Sequence, residues 1–161
     1  NVKMLLSGVS LIPDLAVADP EFTLSSPKSI TAATGLDALT HAIESYTSRK
    51  AQPLTDAVAI SAAKRIFKTL PMAYINGSDM TARSEMSVAA LEAGIAINNA
   101  SVTLVHGMSR PIGANFHVPH GISNAMLLAT ICLRTALPFS VPTYTVVSYC
   151  FFIIFSLLAL C

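Results

Sequence analysis

Between residues 54 and 70, Ala59, Ile60, Ala63, Ile66, Phe67 and Leu70 recur at helical spacing, with Lys64, Arg65 and Lys68 on the other side. Such a stripe marks an amphipathic helix that buries one face. Pro71 is expected to end it. Asn76-Gly77-Ser78-Asp79 follows as a loop and helix cap. Over residues 80–98, Val88, Ala90, Leu91, Ala93, Gly94 and Ile97 offer a surface on which another helix can pack very closely. Upstream, Ser25-Ser26-Pro27 combines a hydroxyl cap with proline at the first helical position, a helix-start signal. Before it, residues 2–19 carry two short apolar runs, Met4-Leu5-Leu6 and Leu15-Ala16-Val17-Ala18, separated by Pro13 and closed by Pro20. These read as extended segments, and two short strands do not make a domain. The pattern predicts a mainly α chain, a tight helical bundle behind a short extended N-terminal segment.

Arg134 is the last charged residue; beyond it Phe, Ile, Leu, Val, Ser and Cys dominate, interrupted by Pro138 and Pro142. The expected units are therefore 1–24, extended; 25–131, helical; and 132–161, a divergent apolar tail. The run 144–161 approaches the roughly 20 apolar residues that cross a bilayer, but it has no basic flank. It reads either as a membrane anchor or as sequence foreign to the ancestral protein, from altered splicing, a frame change or a gene-model error. In the second case it is an aggregation hazard. The opening Asn1-Val2-Lys3-Met4 lacks an initiator methionine and a signal-peptide pattern, so the chain reads as an excerpt from a longer protein.

With 161 residues and 53% hydrophobic composition, the chain can build the core of one ordinary domain, which argues against disorder. A net charge of +1 from only 12% charged residues leaves no field for nucleic acid or cationic partners. Cys132, Cys150 and Cys161 show none of the paired spacings of zinc ribbons or thioredoxin-like sites, which fits a reducing, cytoplasmic setting.

Two segments carry candidate chemistry. In Gly35-Leu36-Asp37-Ala38-Leu39-Thr40-His41-Ala42-Ile43-Glu44, Asp37 and His41 stand four apart and project from one helix face, where a carboxylate and an imidazole can share a cation. Taken alone, such a pair is more often a helix-surface pair or a buried hydrogen bond. Here Ala33, Leu36, Ala38, Leu39, Ala42 and Ile43 surround it with small or apolar residues, so the helix should be buried and the acid should need a partner. The second segment is Leu104-Val105-His106-Gly107-Met108-Ser109-Arg110-Pro111-Ile112-Gly113, followed by Val118-Pro119-His120-Gly121. His106 and His120 are expected in separate turns, each followed by a glycine that lets the backbone approach closely or turn sharply. Two core histidines donating to carbonyls are the bland alternative. Together the segments hold three imidazoles and one carboxylate, a set suited to Fe(II) or Zn(II) rather than Ca(II) or Mg(II).

Residues 3–128 resemble the iron-containing alcohol dehydrogenase family, which includes lactaldehyde and propanediol oxidoreductases. The resemblance rests on Ile12-Pro13-Asp14, Ala18-Asp19-Pro20, Ala32-Ala33-Thr34-Gly35, Asp37-Ala38-Leu39-Thr40-His41-Ala42-Ile43-Glu44, Val105-His106-Gly107-Met108, Pro119-His120-Gly121 and Asn124-Ala125-Met126-Leu127-Leu128, in the family's order and spacing. It implies a two-domain architecture, α/β plus all-α, of which this chain carries the helical metal-binding domain and, in residues 1–24, a remnant edge of the cofactor domain. It also implies that Asp37, His41, His106 and His120 are the metal ligands and that Lys3 lines the nicotinamide site. The implied cofactors are Fe(II), or Zn(II), with NAD or NADP. The implied partner is a small alcohol or carbonyl substrate; a homo-oligomer fits the family, and membrane contact would run only through 144–161.

Two departures matter. Some family members place a further histidine four residues after the third ligand, where this chain has Arg110, a residue able to hold an acidic substrate; His117 reads as an exposed loop histidine. The glycine-rich turn that receives the cofactor pyrophosphate in the family does not occur in this sequence, so the chain alone is expected to show no turnover. A catalytically inactive helical remnant, metal-binding or membrane-associated, is the competing expectation. The zinc-dependent glycerol dehydrogenase group shares the architecture but lacks Asp37-Ala38-Leu39-Thr40-His41, and ranks below the first reading.

Overall fold

A computed structural model describes Leu6 and residues 8–136. Within them lie two short 3-10 turns, Val9–Leu11 and Pro20–Thr23, and five helices: α1 (Lys28–Thr47), α2 (Pro53–Ile75), α3 (Met80–Ala100), α4 (Leu104–Phe116) and α5 (His120–Ala136). No strand forms among the described residues. Residues 12–19 are exposed and make no ladder, so the run Leu15-Ala16-Val17-Ala18, expected as a strand, finds no partner strand among the described residues, while Met4 and Leu5 of the other run lie outside them. Lys3, Cys150, Cys161 and the run 144–161 lie outside the described residues. No single helix among the described residues is long and apolar enough to cross a membrane.

The core centres on α1, which packs on α2, α3 and α5, while α4 lies mainly on α5. Leu36, Leu39, Ile66, Leu70, Val105 and Leu128 are almost fully buried and form its bulk. Buried aliphatic side chains contribute about 1.5–3 kcal/mol each, so this cluster dominates the favourable side of folding. Ala82, Ala89, Ala93, Ala96 and Ala100 make the buried face of α3. Its larger residues Val88 and Leu91 face outward instead, at 39% exposure each. Of the residues expected to pack closely on α3, Ala93 is buried, while Val88, Ala90, Leu91 and Gly94 are exposed; the small side chains of the buried face let α3 approach α1 and α2 closely.

Helix ends depart from the sequence pattern in two places. Pro27 is the N-cap of α1 rather than its first helical residue, with no side-chain cap bond; the Ser26 carbonyl instead accepts from Arg83. Pro71 does not stop α2, which continues to Ile75. Proline removes one backbone hydrogen bond, but Leu70, Ala73 and Tyr74 on either side of it are buried, and that burial outweighs the loss. Asp79 caps α3 as expected, accepting from the Ala82 amide at 3.0 Å.

Arg83 is 4% exposed and joins three segments, donating to the Gly77 carbonyl (2.9 Å), Thr31 Oγ1 (2.9 Å) and the Ser26 carbonyl (3.2 Å). On the outer surface Arg65 pairs with Glu85 and Glu92, linking α2 to α3. After α3 the chain bends by 104°, and this turn aims α4 back across the end of α1 that carries His41 and Glu44. Helix α5 runs unbroken through residues 131 and 132 to Ala136.

Candidate metal centre

Three helices supply the candidate side chains. On α1, Asp37 and His41 are one turn apart and half-buried, inside a helix whose Ala33, Leu36, Ala38, Leu39 and Ala42 are buried. His106 is the third residue of α4 and His120 the first of α5, so both lie in helices rather than in the turns the glycines suggested. The fold brings all four together. Asp37 Oδ1 is 3.6 Å from His106 Nε2 and 3.8 Å from His120 Nε2. The His41 and His106 rings stack at 4.7 Å, and the His106 and His120 rings meet edge-on at 5.2 Å. Donor atoms of Asp37, His41 and His106 all fall within 4.8 Å of one another. Ligands around a tetrahedral Fe(II) or Zn(II), at about 2.1 Å from the ion, lie about 3.4 Å apart, so these separations suit a shared cation after small shifts.

A second observation bears on that fit. The side-chain amide nitrogen of Asn124 sits 2.5 Å from Asp37 Oδ1, 3.1 Å from His106 Nε2 and 3.2 Å from His120 Nε2. An amide nitrogen has two hydrogens, so it cannot bond all three of these atoms at once. The three atoms converge on one point, as metal ligands do, and the residues present fit such an ion.

Glu44, seven residues after Asp37 and 1% exposed, faces the far side of His106. Its Oε2 pairs with His106 Nδ1, while its Oε1 accepts from the Val105 amide at 2.7 Å and Thr103 Oγ1 at 2.5 Å. Glu44 and Asn124 both stood in the quoted motifs without a role. The signal for Glu44 was there: Asp37, His41 and Glu44 fall at i, i+4 and i+7, one stripe of one helix. Asn124 likewise follows His120 by one turn.

The charges follow from this packing. Burial opposes a charge on His106, yet hydrogen bonds and Coulomb attraction from Asp37 and Glu44 prevail and raise its pKa to about 9. Burial also works against the charged forms of Asp37 and Glu44; the His106 hydrogen bond to each, with the His41 charge near Asp37 and the Thr103 hydroxyl on Glu44, nevertheless holds both below the usual carboxylate range. His41 moves down, because burial outweighs the attraction of Asp37. Positive charge in the cluster therefore collects at His106, between two carboxylates, and a cation bound there would take over that role.

The two glycines differ. A Cβ on Gly121 would collide with the backbone carbonyl of Ala33, so α5 touches α1 directly beside His120, whereas a Cβ on Gly107 would meet nothing within 4 Å. Neither has positive φ, so the close-approach reading holds at Gly121 alone. His117 is exposed at the end of α4 in a left-handed conformation, φ 56°. Arg110 is half-buried one turn beyond His106.

The C-terminal part of the Fe-containing alcohol dehydrogenase family matches residues 31–144. This chain belongs to the iron-containing alcohol dehydrogenase family. The match includes every candidate ligand and extends past residue 131. Among curated relatives, the probable alcohol dehydrogenase EutG of Escherichia coli is 46% identical over 129 residues, covering 80% of this chain and 33% of that relative. A solved 1,3-propanediol oxidoreductase superposes with a TM-score of 0.77 at 35% identity, over 86% of this chain and 41% of the other. The sulfoacetaldehyde reductase of Bifidobacterium kashiwanohense, solved with NAD+, gives 0.69 at 38% identity, over 71% and 30%. The chain spans about a third of the length of the curated relatives it matches, and its bundle is the all-α C-terminal domain of the family's structures.

Proposed function

We propose that this chain is the metal-binding helical part of an NAD(P)-linked alcohol dehydrogenase that interconverts an alcohol with an aldehyde or ketone. In this reading Asp37, His41, His106 and His120 hold one Fe(II) or Zn(II), residues 1–24 are an edge of the cofactor-binding domain with Lys3 at the nicotinamide site, residues 25–131 form the metal-binding domain and residues 132–161 a divergent tail. The observation that carries it is the convergence of one carboxylate and three imidazoles from three helices. Bound there, the ion would supply Lewis-acid polarisation of a substrate oxygen, lowering the alcohol's pKa toward neutrality.

The chain's own residues do the rest on this side of the reaction. Asp37 offsets the charge of the ion, and Asn124 donates a hydrogen bond to that carboxylate. Leu36, Leu39 and Val105, all almost fully buried, keep water from the back of the site and so strengthen its electrostatics. Arg110, one turn from His106, is suited to an anionic group on the substrate.

The test is metal content of the full chain after anaerobic purification, beside an Asp37→Ala/His106→Ala double variant. About one Fe or Zn per chain in the parent and none in the variant is the expected result. No metal in a parent that is folded by circular dichroism would leave only a helical remnant. Because hydride transfer needs the cofactor beside the substrate, the isolated chain should show no alcohol-dependent NADH formation; robust turnover by pure protein would overturn the reading of it as one part of the catalytic unit.

A further inference from the structure

Among the described residues Glu44 is the one buried carboxylate that the metal reading leaves without a task, and its side-chain hydrogen bonds all fall on three residues at the start of α4: Thr103, Val105 and His106. One oxygen accepts from Thr103 Oγ1 and the Val105 amide; the other meets His106 Nδ1. Thr103 is the N-cap of α4, yet its side chain makes no bond to its own helix. The first turn of α4 is instead capped from outside, by an acid on α1, where a negative charge also suits the helix dipole. Helices α1 and α4 otherwise meet through the His41–His106 stack and the Asp37–His106 pair at the site itself, so this carboxylate is a strut between the helix carrying Asp37 and His41 and the helix carrying His106.

The second oxygen decides which ring nitrogen can bind an ion. A carboxylate only accepts hydrogen bonds, so it requires the proton of a neutral His106 on Nδ1 and leaves the lone pair on Nε2, the atom facing Asp37 at 3.6 Å. We propose that Glu44 is a positioning residue of the metal centre: it docks the first turn of α4 with one oxygen and fixes the metal-binding tautomer of His106 with the other. This rests on the ligand assignment above and extends it to a residue that does not touch the ion. A glutamine cannot do both. If its oxygen caps α4, its NH2 group faces His106 and favours the opposite tautomer, with a proton on the nitrogen that should bind the ion. If its NH2 group faces α4 instead, it meets the Val105 N–H donor to donor.

The experiment is Co(II) titration of the metal-free full chain, followed by visible absorption, for the parent, Glu44→Gln and Asp37→Ala, with helicity checked by circular dichroism. The parent should bind one Co(II) with an intense four-coordinate spectrum and Asp37→Ala should not. Glu44→Gln should stay helical, lose about 10–100-fold in affinity and show an altered band shape. Nitrogen-15 spectra of the metal-free histidines, recorded above pH 9 so that His106 is neutral, should show His106 moving from the Nδ1-protonated form toward the Nε2-protonated form in Glu44→Gln. Parent-like affinity, spectrum and tautomer in Glu44→Gln would overturn the positioning role while leaving the ligand assignment intact. A parent that binds no Co(II), or an Asp37→Ala variant that binds it equally, would overturn the ligand assignment and this proposal with it. If Glu44→Gln does not fold, Glu44→Asp replaces it: the shorter acid keeps the charge but reaches one partner, so parent-like binding by that variant would also count against the proposal.

Discussion

Gly107→Ala and Gly121→Ala make the same chemical change one residue after a candidate ligand, and the structure predicts opposite outcomes. At Gly121 the added methyl would occupy the position of the Ala33 carbonyl, with the Ala33 carbonyl carbon and Cα also in contact. Non-bonded carbons settle at about 3.5–4.0 Å, so relief requires α5 and α1 to part by roughly 1 Å. The obstruction is helix backbone, which has no alternative rotamer. Overpacking of this kind costs about 1–3 kcal/mol, and the upper end is expected because a rigid interface must open. At exposed Gly107 nothing lies within 4 Å of the new methyl, and alanine in place of a helical glycine is worth up to about 1 kcal/mol in its favour. Urea unfolding of the metal-free chain, followed by circular dichroism, should therefore show a lower midpoint for Gly121→Ala and an equal or higher one for Gly107→Ala, with unchanged slopes. Equal midpoints for parent and Gly121→Ala would refute the direct contact between α1 and α5. A loss at Gly107 as large as that at Gly121 would refute the distinction between them.

His106 has its folded pKa raised from 6.5 to about 9, so its contribution in the metal-free chain is fully present below pH 6.5 and is lost as pH rises through 9. The amount is on the order of 3 kcal/mol, and His106→Gln should flatten the stability profile over that window in urea titrations. Asp37 and Glu44, whose pKa values are depressed, act at the other end: their contribution is present above the ordinary carboxylate range and is lost as pH falls through their folded values. Arg83→Met should cost about 3 kcal/mol, since three hydrogen bonds from a buried charged donor disappear, and a loss under 0.5 kcal/mol by denaturant unfolding would count against its joining role. Zinc at a hundred times its Kd should stabilise the parent by about 2.7 kcal/mol and Asp37→Ala not at all, read as a shift in thermal midpoint that appears only in the parent.

Periodicity alone was enough for a mainly α chain. The stripe on α2, the cap at Asp79 and the burial of α1 around Asp37 all follow from local spacing, because a helix repeats every 3.6 residues whatever surrounds it. The motifs were enough for the family and for naming Asp37, His41, His106 and His120 together. Tertiary structure decided the rest. The α3 face that packs is Ala82, Ala89, Ala93, Ala96 and Ala100, of which the sequence pattern named only Ala93 among its small and apolar positions. Helix α2 passes through Pro71 because buried neighbours outweigh one missing hydrogen bond. Gly107 and Gly121 are equivalent in sequence and differ only in what stands opposite them. Glu44 and Asn124 acquire roles from the 104° bend after α3 and the docking of α5 on α1, which set residues 62 and 87 positions apart within hydrogen-bond distance. Local spacing determines which side chains share a face; which faces meet depends on long-range packing, and the chemistry of this cluster lies where three such faces meet.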